Sequence, residues 1–117
     1  MSRILVAEDN DSNYILMTYI LKGVYEFERA CNGKDAVDMV DNKSFDLVLM
    51  DLKMPVMDGL EATRIIKERH PELPVVALTA NVFESDRIKA SEAGCDDFIA
   101  KPVNRARCIE TISRYLT

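Results

Sequence analysis

Glu8, Asp9, Asp51, Thr79 and Lys101 stand at the ends of four short apolar runs. The runs are Ile4-Leu5-Val6-Ala7, Leu47-Val48-Leu49-Met50, Val75-Val76-Ala77-Leu78 and Phe98-Ile99-Ala100. Three carboxylates, a hydroxyl and an ammonium, once gathered, suit a divalent cation and a phosphoryl group. Carboxylates crowded at one point repel, and some stay protonated, unless a cation sits among them. Magnesium is a hard ion that takes a few carboxylate oxygens and keeps waters for phosphate to displace. Asp51 is a candidate nucleophile, since a carboxylate can accept a phosphoryl group as a mixed anhydride. Such transfer is mostly positioning and charge neutralisation. A cation on one side and Lys101 on the other would neutralise the transferring oxygens, and the Thr79 hydroxyl could donate to one of them.

Each of these residues also has a plainer explanation. Glu8-Asp9 could simply favour a helix N-terminus through the helix dipole. Lys101-Pro102 could open the last helix, where proline's missing donor costs nothing, or could form a cis peptide bond that aims the lysine at the acidic edge. Asp51 separates the readings for the acidic pair, because it ends a strand that must lie beside the first.

The elements that would position these groups alternate regularly. Short apolar runs between helical patterns read as buried parallel strands, and ligands in such sheets bind beyond the strands' carboxyl ends. Strands are predicted at 3–8, 27–31, 46–50, 75–78 and 97–100, the second a polar edge strand carrying Glu28 and Arg29. Helices are predicted at about 11–22, 60–69, 84–93 and 104–115, and another follows the Asn32-Gly33 turn and carries Ala36, Val37, Met39 and Val40. Ser12 is the expected N-cap of the first helix among several polar candidates, and Gly23 and Gly94 close the first and fourth. The loop Met54-Pro55-Val56-Met57-Asp58-Gly59 is expected to be irregular, and Pro71 and Pro74 bracket the entry to the fourth strand. The pattern predicts a three-layer α/β sandwich around a five-stranded parallel sheet.

Composition narrows the function. The 117 residues suit a single domain, 48% hydrophobic and 30% charged, with 20 acidic against 15 basic residues and a net charge of −5. With no Lys/Arg cluster, direct nucleic-acid binding is not expected. No apolar stretch reaches the roughly 18–20 residues a membrane span needs, and Met1-Ser2-Arg3 runs straight into a strand, so no signal peptide is expected. The three cysteines, Cys31, Cys95 and Cys108, lack metal-like spacing and read as reduced thiols of a cytoplasmic protein. His70, the sole histidine, is expected to cap a helix.

Taken in order and spacing, Glu8-Asp9, Asp51-Leu52-Lys53-Met54-Pro55-Val56-Met57-Asp58-Gly59, Thr79-Ala80 and Phe98-Ile99-Ala100-Lys101-Pro102 resemble the receiver domain of two-component response regulators. The resemblance spans essentially the whole chain, residues 1–117, and in flavour is most similar to receivers of hybrid histidine kinases. It implies a doubly wound, flavodoxin-like sheet of order 2-1-3-4-5. It implies phosphorylation of Asp51 from the phosphohistidine of a histidine kinase or histidine phosphotransfer domain. Magnesium, with manganese as the alternative, would be held by Glu8, Asp9, Asp51 and the backbone carbonyl of Lys53. Thr79 and Lys101 would hold the phosphoryl group, with Lys101 and Pro102 joined by a cis peptide. Phe98 matches the aromatic ring whose rotamer follows Thr79, carrying the signal to a face made by the fourth helix, fifth strand and fifth helix, where phosphorylation-dependent association is expected. Lys53 and Asn81 occupy the two variable positions that tune dephosphorylation.

This sequence departs from the family pattern in two places. Glu8 replaces the commoner aspartate and adds a methylene, and Phe98 lacks the hydroxyl of the commoner tyrosine. On the first helix, Asn13, Leu16, Met17, Ile20 and Leu21 share a core face, leaving Ile15 and Tyr19 to dock the phosphodonor. The expected role is a phosphoacceptor switch rather than an enzyme, cytoplasmic or on the cytoplasmic side of a membrane-bound hybrid kinase, with no output domain after Thr117 and no membrane contact of its own. Two other readings are weighed. A magnesium-dependent phosphohydrolase would want an aspartate two residues after Asp51, where Lys53 stands. A degenerate receiver acting as a binding module would need neither Asp51 nor Lys101.

Overall fold

The structure, a computed structural model, describes residues 2–80 and 84–116. Ten elements alternate: β1 (Arg3–Ala7), α1 (Asp11–Leu21), β2 (Glu26–Ala30), α2 (Gly33–Asn42), β3 (Leu47–Asp51), α3 (Gly59–Arg69), β4 (Val75–Thr79), α4 (Glu84–Ala93), β5 (Asp97–Ala100) and α5 (Arg105–Tyr115). The strands pair in parallel in the order β2-β1-β3-β4-β5.

The unbroken apolar runs follow from burial on both faces of this sheet. Successive strand residues point to opposite sides. Ile4, Val6, Leu47, Leu49, Val76, Leu78 and Ile99 therefore meet Met17, Ile20 and Leu21 of α1 and Cys108 and Ile112 of α5. Leu5, Ala7, Val48, Met50 and Val75 meet Ala36, Val37 and Val40 of α2 and Ala62 and Ile66 of α3. A smaller cluster of Leu52, Ala77 and Ala90 seats α4, with Leu60, Cys95 and Phe98 against it.

Asparagine and aspartate side chains start four of the helices. Asn10, Asn32, Asp58 and Asn104 accept from the backbone N–H of Asn13, Asp35, Glu61 and Arg107 respectively. Asn10, not Ser12, is thus the N-cap of α1: it is extended (φ −88°, ψ 121°) while Ser12 already lies in the first turn. β2 begins and ends one residue earlier than predicted, because Glu26 N–H bonds Ser2 O and Arg3 pairs with Glu26. β3 runs one residue further and takes in Asp51, while α5 starts after its Asn104 cap. Leu16 is a further correction. The buried side of α1 centres on Met17 and Leu21, and Leu16 is left exposed. His70 follows α3, and its Nε2 lies 2.9 Å from Asp41 Oδ1 of α2, so its ring joins two helices besides ending one. Among the described residues no helix is long and apolar enough to cross a membrane.

Candidate functional site

The carboxyl ends of β1, β3, β4 and β5 open into a cleft of about 760 Å³ lined by Glu8, Asp9, Asp51, Lys53, Thr79 and Lys101, among others. Asp51 is the last residue of β3 and Thr79 the last of β4, both buried. Lys101 follows β5, its N–H bonded to Thr79 O at 2.8 Å, and the Lys101–Pro102 peptide is cis. Lys101 Nζ donates to Asp51 Oδ2 at 3.1 Å. The other Asp51 oxygen accepts the Lys53 N–H at 3.1 Å.

Glu8 carries the electrostatic tension of the site. Its side chain is 1% exposed. Oε1 accepts the Asn10 N–H at 3.2 Å. Oε2 lies 3.1 Å from Lys101 Nζ, at ion-pair distance but misaligned for a hydrogen bond, so this buried oxygen has no directional partner. Burial raises the Glu8 pKa, the Asp51 carboxylate raises it further, and Lys101 and the Asn10 N–H offset part of the rise. Burial pulls Lys101 the other way, but Asp51 and then Glu8 outweigh it and its pKa is raised.

One oxygen each from Glu8, Asp9 and Asp51 lie within 4.8 Å of one another. Three carboxylates beside one ammonium are two positive charges short of neutrality, and the buried Glu8 Oε2 has an ion-pair contact with a Lys101 ammonium that it shares with Asp51. A hard divalent cation answers that deficit.

The structure also shows what positions these groups. A Cβ on Gly59 would come within 2.1 Å of Asp51 O and 2.8 Å of Leu52 Cα. Only glycine lets α3 begin there, with the Gly59 N–H bonded to Leu52 O at 3.0 Å. Arg29 donates from Nε to Glu8 O at 3.0 Å, pairs with Asp11 at 2.9 Å and stacks over the Tyr14 ring. It ties the edge strand to the turn that presents the acidic pair. Residue-by-residue reading missed both roles, Gly59 appearing only as part of a motif and Arg29 only as edge-strand polarity.

Other predicted residues lie around the cleft. Lys53 is exposed at its rim. Phe98 is half-buried on β5 opposite Ala77. Ile15 and Tyr19 are 53% and 76% exposed on α1. Asn81 lies outside the described residues.

Residues 4–113 match the response regulator receiver domain family. The chain belongs to that family. This receiver is 36% identical over 124 residues to hybrid signal transduction histidine kinase L of Dictyostelium discoideum, aligning 98% of its own length with 7% of that protein. It is 36% identical over 118 residues to the polar-differentiation response regulator DivK of Brucella anthropi, there covering 97% of its own length and 94% of the relative. Among solved structures, it matches the receiver domain of sensor histidine kinase PA1611 from Pseudomonas aeruginosa PAO1, which has a magnesium ion in its active site cleft. That match has a TM-score of 0.92 and 34% identity, over 98% of this chain and 97% of that one. It also matches a chain of the Saccharomyces cerevisiae co-crystal of the phosphotransfer protein Ypd1 with the receiver domain of Ssk1. There the TM-score is 0.91 and the identity 30%, over 97% and 88% of the two chains. The receiver is a signalling domain of a two-component phosphorelay. Neither the hydrolase nor the binding-module reading is favoured.

Proposed function

We propose that Asp51 of this receiver accepts a phosphoryl group from a phosphohistidine and that the resulting charge rearranges Thr79 and Phe98. The observation that carries this is the Asp51 carboxylate at the strand end, held by Lys101 on one oxygen and by the Lys53 N–H on the other. An Asp51 oxygen attacks phosphorus, the P–N bond to imidazole breaks, and the electron pair leaves with the imidazole nitrogen. Magnesium, or manganese, would be held by Glu8, Asp9, Asp51 and the Lys53 carbonyl, and would neutralise charge on the transferring oxygens. Lys101 would neutralise them from the opposite side, and Thr79 would turn its hydroxyl toward one of them.

Phe98 is the ring that would respond. It pairs with Ala77, and Ala77 and Thr79 project from the same side of β4. Thr79 moving toward the phosphoryl group would free space that only the small Ala77 separates from the ring. Partners in keeping with the relatives are a histidine kinase or a histidine phosphotransfer domain, with further association through α4, β5 and α5. Residues 1–117 act as one cytoplasmic receiver unit, a switch rather than an enzyme with turnover. Incubation with magnesium and a small acyl phosphate, followed by intact mass, tests this. One phosphoryl adduct is expected, absent in Asp51→Asn. An unmodified wild type, or an adduct that persists in Asp51→Asn, would overturn it.

A further inference from the structure

The ring that responds at Thr79 is itself held by α4. Arg87 lies with its guanidinium carbon 4.4 Å from the centroid of the Phe98 ring. Phe98 also packs against the apolar cluster of Leu52, Ala77 and Ala90. Asp97, next to Phe98 in the chain, accepts the Phe98 N–H at 2.8 Å and the Tyr115 hydroxyl at 3.3 Å. The Phe98 ring is the partner the structure records for this guanidinium. A planar, weakly hydrated guanidinium suits an aromatic face. Beside the pair lies a groove of about 400 Å³ between α4 and β5. Phe98 thus has a cation on one side and, past Ala77, a route toward Thr79 on the other.

We propose that Arg87 is a positioning residue that holds the Phe98 ring against α4 and so sets how readily the site rearranges when Asp51 is phosphorylated. This rests on the phosphoacceptor reading above. A ring moving toward Thr79 leaves the guanidinium and forfeits the contact. An exposed cation–π pair weights an equilibrium by roughly 2- to 5-fold. A site whose competent arrangement is less populated binds and reacts more weakly in proportion.

The test compares wild type, Arg87→Gln, Arg87→Lys, Phe98→Leu and the Arg87→Gln, Phe98→Leu double variant, following phosphorylation by a small acyl phosphate with magnesium through intact mass. Arg87→Gln is expected to be roughly 2- to 5-fold faster than wild type. Arg87→Lys, which keeps the cation, should stay near the wild-type rate, and Arg87→Gln should change nothing once the ring is gone. A general loosening of α4 would instead accelerate both backgrounds equally, and that result overturns the proposal. So does an Arg87→Gln rate equal to or below wild type. A wild type that takes no phosphoryl group overturns the phosphoacceptor reading and this inference together. A phosphorylated wild type beside an indifferent Arg87→Gln overturns the inference alone.

Discussion

At the scale of single residues, the site sets stability against readiness to bind a cation. Glu8 has its pKa raised above the ordinary 4.5, first by burial and then by Asp51. The fold therefore favours the protonated form, and Glu8's contribution to stability is fully present below pH 4.5 and lost as pH rises through the folded value. Without metal, Glu8→Gln should be more stable than wild type at pH 7 by about 1 kcal/mol, since neutral groups often replace buried charges at a gain. The two should converge below pH 4.5. Saturating magnesium should reverse the order at pH 7, because ligand binding stabilises only what it binds. Urea midpoints at both pH values, with and without magnesium, check this, and a metal-free Glu8→Gln weaker than wild type would refute it. Lys53 acts on the next step. Its exposed ammonium at the rim of the cleft can stabilise a phosphoryl charge or obstruct water. Lys53→Ala should lose its phosphoryl group faster than wild type, by several-fold, when decay is followed by mass.

At the scale of elements, α1 presents a wider apolar surface to a partner than helical projection suggested. Ile15, Leu16 and Tyr19 are 53%, 38% and 76% exposed, and they follow directly on the turn that carries Glu8 and Asp9. Clusters of this kind on a surface mark interaction sites more often than isolated apolar residues do. The double variant Ile15→Ala, Tyr19→Ala should accept phosphoryl groups from a phosphohistidine protein about 10-fold more slowly, the weight of one good interface contact. Transfer from a small acyl phosphate should be unchanged, and equal slowing with both donors would place the defect in the site instead. Leu16 shows why such surfaces are hard to read from sequence: at about 100° per residue a shift of one position in the helix's resting face decides its exposure. The strand ends are easier. Leu47 to Met50 are buried on both sides of the sheet, so their composition marks the strand and the first carboxylate after them marks its end. Gly59 and Arg29 depend on distances between separate elements, 2.1 Å from a hypothetical Cβ to Asp51 O and 3.0 Å from Nε to Glu8 O. Neither distance leaves a periodic trace in the sequence.

At the scale of the whole molecule, the two ends of the sheet are built to opposite purposes. The carboxyl end carries an unbalanced charge, three carboxylates around one shared ammonium. The amino end is tied together by one lysine. There Lys67 donates to Pro71 O at 3.2 Å, Leu73 O at 2.9 Å and Asp96 Oδ2 at 2.9 Å. Asp96 Oδ2 also accepts the Val75 N–H at 2.9 Å, so one lysine joins α3, the turn before β4 and the turn before β5. Removing that ammonium with Lys67→Met would leave the part-buried Leu73 O without its donor and Asp96 with the Val75 N–H as its one remaining donor, water taking over at the exposed Pro71 O, a loss of about 2–3 kcal/mol. For a domain this size that lowers the melting temperature by roughly 8–15 °C. β3 and β4 are five residues long and β5 four, roughly 13–16 Å at 3.3 Å per residue, and rigid burial separates the two ends. Magnesium affinity and the rate of phosphorylation by a small acyl phosphate should therefore stay within 2-fold of wild type, measured well below the lowered melting temperature. A rate that fell in step with stability would mean that the amino end of the sheet also sets the geometry of Asp51, and that the division of labour between the two ends does not hold.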